Sequence, residues 1–356
     1  MTHKKFRYYQ NDANLAICQE LEVADKCLVK MFCGTGKSLV MANCSMLVDE
    51  SLVVYVMPSL ALIRQFCSDY LSKKKQVLII SSDSDCEIVD KETLSINNVF
   101  KSTTNERDVA TFLKKKSKNK IICVTYASYQ TLLDQLGDDL FIDVCVYDEA
   151  HNAVGQNIQV PIFLENVSCL KQIFFTATPK NANGIVMLST DTDNNAGMCG
   201  KMVYDYTYFR GMSEGYLNPF EIRVDMYLDD SNKSVYECIS RAVLASGNAR
   251  CLTFHADVNT DRDSSVVNFA KEDAFIDAFR RITATEFPEK SGFYKKIRVL
   301  KFDASISPKI RAQLLAEFDE TPDDEVFVIC SCETLSEGVD TKNANMCVFV
   351  DPKSSG

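Results

Sequence analysis

Residues 30–40, KMFCGTGKSLV, set two glycines, a lysine and a hydroxyl between the end of an apolar run and the start of a helical pattern. A strand that ends in a glycine loop and opens a helix aims several backbone N–H groups at one spot, where the helix dipole also favours an anion. Gly34 and Gly36 supply torsions and a close approach that a side chain would block, with Thr35 between them. Lys37 then reaches terminal phosphates as a point charge, and the Ser38 hydroxyl helps to hold Mg²⁺. The full GxxxxGKS/T pattern carries glycine where this chain has Met31, so the match is partial.

Farther along, FIDVCVYDEAH at 141–151 reads as an apolar strand ending in two carboxylates, Asp148 and Glu149. One acid at a strand end can hold Mg²⁺ through water, while its neighbour orients and deprotonates the attacking water in phosphoryl transfer. The two segments together specify a nucleotide site with Lys37, Asp148 and Glu149 as its catalytic residues. Taken alone, DEAH would be a loop of solvated acids, with His151 capping or packing.

The chain has 356 residues, 46% of them hydrophobic, more than one core can absorb, since single cores stop growing near about 250–300 residues. It contains no run of 18 apolar residues and no apolar leader in its first twenty, so it reads as soluble and intracellular, cytoplasmic or nuclear, with no membrane partner. Fifteen cysteines sit within apolar runs such as IICVT and DVCVY, which reads as buried free thiols in a reducing compartment. Cys330 and Cys332 form a CxC without a second pair, and three histidines are too few for a structural zinc site. A net charge of −10 argues against a protein that coats nucleic acid but leaves room for a narrow basic track. Lysine runs at 73–75 and 114–116 read as solvated helix ends and loops.

Short apolar runs (CLVKM, LVVYVMP, QVLII, KIICVT, FIDVCVYDEA, KQIFFTAT) alternate with helical patterns at 60–71 and 128–136, implying βα units and a mostly parallel sheet. The polar stretch LSTDTDNNAGMCG at 188–200 reads as a surface loop. A second set follows: EIRVDMYL, ARCLTFH, KIRVLKFD, EVFVICS and ANMCVFVD, with helices at 231–246 and 308–318. The expected organisation is α/β, with one domain over 1–217 and another over 218–356.

In this order the segments resemble those of superfamily 2 helicases and translocases, ATPases built from two RecA-like P-loop NTPase domains with mostly parallel sheets. MFCGTGKS is similar to motif I, where that superfamily often lacks the first glycine, and YDEAH to motif II. FRYYQNDA resembles the segment whose glutamine reads adenine, which implies that role for Gln10. VVYVMPSLALIRQF resembles motif Ia and VTYASYQTL motif Ib, implying Ser59, Arg64, Thr125 and Ser128 as contacts to nucleic-acid phosphates, although such residues also cap helices. FFTATPK resembles motif III, whose Thr176 and Thr178, with His151, would couple the hydrolytic site to the nucleic-acid side.

YFRGMSEGYLNPFEIRV resembles the segment entering the second domain in the branch of type III restriction and repair helicases. ARCLTFHADV is similar to motif IV, which nominates His255 toward nucleic acid. CETLSEGVDTKNANMCVFVDP is similar to motif V, in which Gly338 would permit close approach and Asp340 would reach the ribose or the domain interface. The resemblance implies ATP and Mg²⁺ as cofactors and a nucleic acid as partner, with DNA favoured over RNA. Large cytoplasmic DNA viruses carry helicases of this style, which makes a viral origin, in host cytoplasm or virion, one reading of localisation.

One departure has consequences. Family members continue into motif VI, a GRxxR whose arginine stabilises the transferring phosphate, and this sequence reaches Gly356 before any such residues, so the second domain is expected to be incomplete. An arginine of this kind contributes about 10³ to 10⁵ in rate, so the polypeptide as written is expected to bind nucleotide and hydrolyse it weakly. Two other classes share the glycine corner: a different P-loop NTPase such as a small-molecule kinase, and a nucleotide-binding nucleic-acid scaffold that turns over poorly.

Overall fold

The apolar runs of the sequence separate into two parallel sheets, each with helices on both faces. The computed structural model describes residues 5–47, 52–71, 76–81, 102–115, 119–136, 141–154, 169–179, 199–223, 232–258, 264–303, 305–332 and 343–351. The chain divides into two units between Phe220 and Glu221, three residues beyond the boundary expected from composition.

The first unit contains β1 (Lys26–Met31), β2 (Leu52–Met57), β3 (Gln76–Ile80), β4 (Ser102–Thr103), β5 (Lys120–Thr125), β6 (Ile142–Tyr147), β7 (Cys169–Thr176) and β8 (Lys201–Tyr206). They hydrogen-bond in the order β4-β3-β5-β2-β6-β7-β1-β8, and the paired strands run parallel. Strand β2 shows why such runs are continuous rather than alternating. Val53, Tyr55 and Met57 enter one core while Val54 and Val56 enter the other, so every position is buried.

Helices α1 (Tyr8–Leu21), α2 (Lys37–Asn43) and α3 (Leu60–Tyr70) close the first core through Ile17, Met41 and Phe66. On the opposite face, α4 (Glu106–Lys114) and α5 (Tyr129–Leu136) contribute Val109 and Leu132. Because the strands are parallel, Met31, Met57, Thr125, Tyr147, Thr176 and Tyr206 all end at one edge of the sheet, and the connecting loops meet there.

The second unit is a four-stranded parallel sheet, in the order β10-β11-β9-β12, of β9 (Arg250–Phe254), β10 (Lys296–Phe302), β11 (Glu325–Ser331) and β12 (Met346–Phe349). Helices Asn232–Ser246 and Glu272–Glu286 bury Ile239, Val243, Phe275 and Phe279 against one face. Helix Pro308–Asp319 packs Phe318 on Phe302 and Phe327 on the other.

Two expectations change. Lys201–Tyr206, which follows a stretch read as loop, is a strand lying beside β1. The strand expected at 221–228 is absent at 221–223, which carry no regular structure, and its remainder lies outside the described residues. The described thiols are free and most are buried, although Cys18, Cys33 and Cys347 are exposed; burial pushes Cys27 and Cys330 up to about 12 and Cys145 up to about 11, which keeps those three protonated and inert. No described helix is long and apolar enough to cross a membrane.

Candidate functional site

The chain leaves β1 through a loop tied at its start by the Phe32 N–H, which donates to the Tyr206 carbonyl at 3.1 Å. Gly34 and Gly36 then take φ of 79° and 80°, the left-handed region that a side chain strains, and Gly36 is the N-cap of α2. A Cβ on Gly36 would run into the Gln10 amide. Thr35 is fully buried between the glycines, and its carbonyl accepts from the Tyr9 hydroxyl at 2.9 Å and from Gln10 Nε2 at 3.0 Å. Gln10 Oε1 in turn accepts the Arg7 N–H at 2.9 Å, so this side chain spans from its own helix start to the loop. The structure therefore brings Gln10 to the glycine corner and gives it a holding role there.

Strand β6 delivers the acids. Its ladder extends one bond farther, with the Asp148 N–H donating to the Val56 carbonyl at 2.8 Å. Glu149 then adopts φ 44°, uncommon for a residue with a side chain, at a cost of about 1–3 kcal/mol. That turn is held by the Glu149 N–H donating to Asp148 Oδ1 at 2.9 Å and by the Asn152 N–H donating to the Glu149 carbonyl at 2.9 Å. As a result both carboxylates face Lys37, whose Nζ lies 2.9 Å from Asp148 Oδ1 and also pairs with Glu149 Oε1.

Lys37 is 8% exposed and Asp148 4%. Burial pushes the Lys37 ammonium down, but Asp148 and then Glu149 more than offset it, and the group is held above its ordinary value. One cation against two acids leaves the cluster one negative charge in excess. Its donors, Asp148 and Glu149, are oxygen, as is the half-buried hydroxyl of Ser38, the residue after Lys37 in the first turn of α2, and oxygen donors suit a hard divalent ion such as Mg²⁺.

From Glu149 a polar chain continues. His151 Nδ1 lies 3.4 Å from Glu149 Oε2 and 3.2 Å from Thr176 Oγ1. The Thr176 hydroxyl donates to the Thr178 carbonyl at 2.8 Å and accepts the Thr178 N–H at 3.1 Å. Sequence reasoning missed two tyrosines of this site. Tyr126 donates its hydroxyl to the Asp148 carbonyl at 2.8 Å, and burial pushes that hydroxyl well above its ordinary range. Tyr9 holds Thr35 as described. Both lie in segments singled out by resemblance, and a buried tyrosine wanting one acceptor was the available signal.

The remaining candidates have varied surroundings. Ser59 caps α3, accepting the Leu62 N–H at 3.4 Å, and Arg64 is half-buried on that helix. Thr125 and Ser128, at the end of β5 and in the turn that follows, are 7% and 5% exposed. In the second unit His255 is 2% exposed, with Nε2 2.8 Å from Thr253 Oγ1 and Nδ1 2.6 Å from the Ser264 carbonyl. Both ring nitrogens thus have partners inside the fold. Gly338 and Asp340 lie outside the described residues.

Comparison with known proteins bears on the family and the fold. Residues 3–181 match the family model of the type III restriction enzyme res subunit, and residues 240–355 match that of the helicase conserved C-terminal domain. Proteins described as probable helicases from Kenyan and Malawian isolates of African swine fever virus are each 26% identical over 227 residues, covering 61% of this chain and 24% of theirs. The chain therefore spans about a quarter of the length of the curated relatives it matches. Among solved structures, the ATP-dependent Type ISP restriction-modification enzyme LlaBIII bound to DNA superposes with a TM-score of 0.71 at 17% identity, covering 99% of this chain and 26% of that one. A nuclease-deletion mutant of the Type ISP enzyme LlaGI, in complex with a DNA substrate mimic, gives 0.65 at 19% identity, over 98% of this chain and 25% of that one. These likenesses show the fold: two RecA-like α/β domains.

Proposed function

Because the chain belongs to the superfamily 2 helicases, in the family of the type III restriction enzyme res subunit, we propose that it is an ATP-dependent helicase or translocase that couples ATP hydrolysis to movement on, or unwinding of, nucleic acid. The observation that carries this reading is the meeting of Lys37 with Asp148 and Glu149, side chains 112 residues apart at the outer limit, on one edge of a parallel sheet. No structural requirement of the fold explains a buried lysine and a buried aspartate gathered with a half-buried glutamate beside a glycine turn. Phosphate chemistry does.

In this reading Gly34 and Gly36 present backbone N–H groups to the phosphates, the Thr35 N–H joins them on leaving the Phe32 carbonyl to which it donates at 3.3 Å, and Lys37 exchanges its carboxylate partners for phosphate oxygens. Asp148 and Ser38 would hold Mg²⁺, which when bound supplies positive charge to the phosphate oxygens. Glu149 orients the attacking water and takes its proton. Its left-handed backbone and the contact to His151 fix where that carboxylate points. His151, Thr176 and Thr178 then lead away from the hydrolytic acid, as a coupling route requires. Gln10 holds the loop, and the resemblance of its segment supports a role in reading adenine.

Nucleic acid is the proposed track. DNA is favoured, because the branch resemblance and the DNA-bound proteins of like fold point that way. RNA remains the competing polymer, since backbone-tracking folds conceal their sugar preference. The test is phosphate release from ATP with and without single-stranded DNA or RNA. Stimulation by a polynucleotide, lost in Glu149→Gln, supports a motor. Polynucleotide binding without turnover would indicate a nucleotide-sensing scaffold, and turnover indifferent to both polymers would indicate another P-loop NTPase.

A further inference from the structure

The segment that leaves the first unit folds back onto the glycine corner. After β8 the helix Tyr208–Ser213 is capped by the Thr207 hydroxyl, which accepts the Arg210 N–H at 3.2 Å. Gly215, at φ 74°, then reverses the chain, and the N–H groups of Tyr216 and Leu217 both donate to the Gly211 carbonyl, at 2.8 and 3.0 Å. Leu217 is thereby pinned over Gly211, where a Cβ would lie 2.7 Å from Leu217 Cδ1. Its other methyl faces the loop: a Cβ on Gly34 would lie 3.2 Å from Leu217 Cδ2.

A second connection runs through Tyr216. The Arg7 guanidinium sits 4.6 Å from its ring centroid, and its ring meets Tyr9 edge-on at 5.1 Å. Tyr9 stacks on Tyr206 at 4.0 Å and donates its hydroxyl to the Thr35 carbonyl. Tyr206 closes the bracket, donating its own hydroxyl to Glu214 Oε2 at 2.6 Å and accepting the Phe32 N–H on its carbonyl. Thus residues on both sides of the reversal, Glu214 before it and Tyr216 and Leu217 after it, are fastened to the loop or to its immediate supports. Glu221, where the second unit begins, is only four residues beyond Leu217.

We propose that Leu217, assisted by Tyr216, is a positioning residue for the phosphate loop, so that nucleotide occupancy at Gly34–Lys37 and the order of the segment leading into the second unit are coupled. This rests on the nucleotide assignment made above. Leu217 reaches no phosphate itself. It acts by fixing the turn at Gly34, a site where misplacement of about 1 Å is costly to binding and chemistry. Coupling of this kind is reciprocal: whatever factor the loosened segment costs in nucleotide affinity, bound nucleotide must return as tightening of the segment.

The experiment uses the full chain and a non-hydrolysable ATP analogue, with affinity measured by titration and amide hydrogen exchange followed over 211–220. Leu217→Ala is expected to weaken binding about tenfold while the thermal transition persists, Leu217→Met to restore it, and the analogue to slow exchange over the segment by a like factor in the unmodified chain. Gly211→Ala, which displaces Leu217 from the opposite side, should reproduce the loss. If Leu217→Ala fails to fold, the exchange response of the unmodified chain and the affinity of Leu217→Met decide. Unchanged affinity in Leu217→Ala, or exchange over 211–220 indifferent to the analogue while Lys37→Ala abolishes binding, overturns the coupling and leaves the nucleotide site standing. Normal binding by Lys37→Ala removes both.

Discussion

Replacing Lys37 by methionine takes the only positive charge out of the Lys37–Asp148–Glu149 cluster and nearly preserves the length of the side chain. The two acids are then left facing one another with side-chain exposures of 6% and 25%. Removing one partner of a buried ion pair costs about 3–5 kcal/mol, because the remaining charge keeps its desolvation penalty and loses its compensation. Glu149 is the more exposed acid and can recruit water, which places the expected loss near the lower end, about 3 kcal/mol. In a unit of this size each kcal/mol moves the transition by about 2–4 °C, so the first-unit melting temperature should fall by roughly 6–12 °C.

Calorimetry of the full chain checks this, with a second variant as control. Adding Asp148→Asn to Lys37→Met should recover at least about 1 kcal/mol of the loss, since charge balance is partly regained and the residues are in contact. The pH dependence has a fixed sign. Lys37 is held above its ordinary 10.5 in the folded state, so its stabilisation is complete below that value and is lost as pH rises through the folded one. The gap between the unmodified chain and Lys37→Met should therefore be constant near neutrality and close at strongly alkaline pH. A Lys37→Met chain that melts within a degree or so of the original, and still binds ATP, would refute both the energetic and the functional account of the cluster.

Glu149→Gln keeps the shape and the backbone turn, and should leave nucleotide affinity intact while lowering hydrolysis by at least about 10²-fold in a phosphate-release assay. Gly36→Ala puts a methyl into the Gln10 amide at a φ of 80°, and should cost about 1–2 kcal/mol in thermal stability together with much of the ATP affinity. Burial, the main influence on His255, holds that imidazole below its ordinary 6.5, so its contribution to stability is full above 6.5 and lost as pH falls from there through the folded value. Thermal scans from pH 7.5 to 5 should show that decline in the original chain and a flatter profile in His255→Gln.

How much of this was legible depended on how local each determinant is. Buried parallel strands announce themselves because both faces are apolar, and QVLII at 76–80, KIICVT at 120–125 and EVFVICS at 325–331 coincide with β3, β5 and β11 end to end. Lys201–Tyr206 did not, because as an outer strand it is only half-buried along most of its length, so its KMVYDY carries no continuous apolar signal. In the site, the residues that bear charge were readable from type and spacing, since few arrangements use a glycine turn, a lysine and an acid pair together. Their supports were not. That Gln10 braces Thr35, that Tyr126 secures Asp148 and that Glu149 turns through a left-handed φ follow from which strand ends the sheet order sets side by side. Ser59 shows the limit of residue-type arguments, because the same hydroxyl suits a phosphate and a helix start, and here it serves the helix.

The torsion at Glu149 says something about what this molecule can spare. Glycine or asparagine would relax at that position, and a chain needing only to stay folded would do better with either. A Glu149→Gly variant should accordingly melt no lower than the original while losing all hydrolysis, so that screening this protein for heat resistance alone would select inactive chains at residue 149 first.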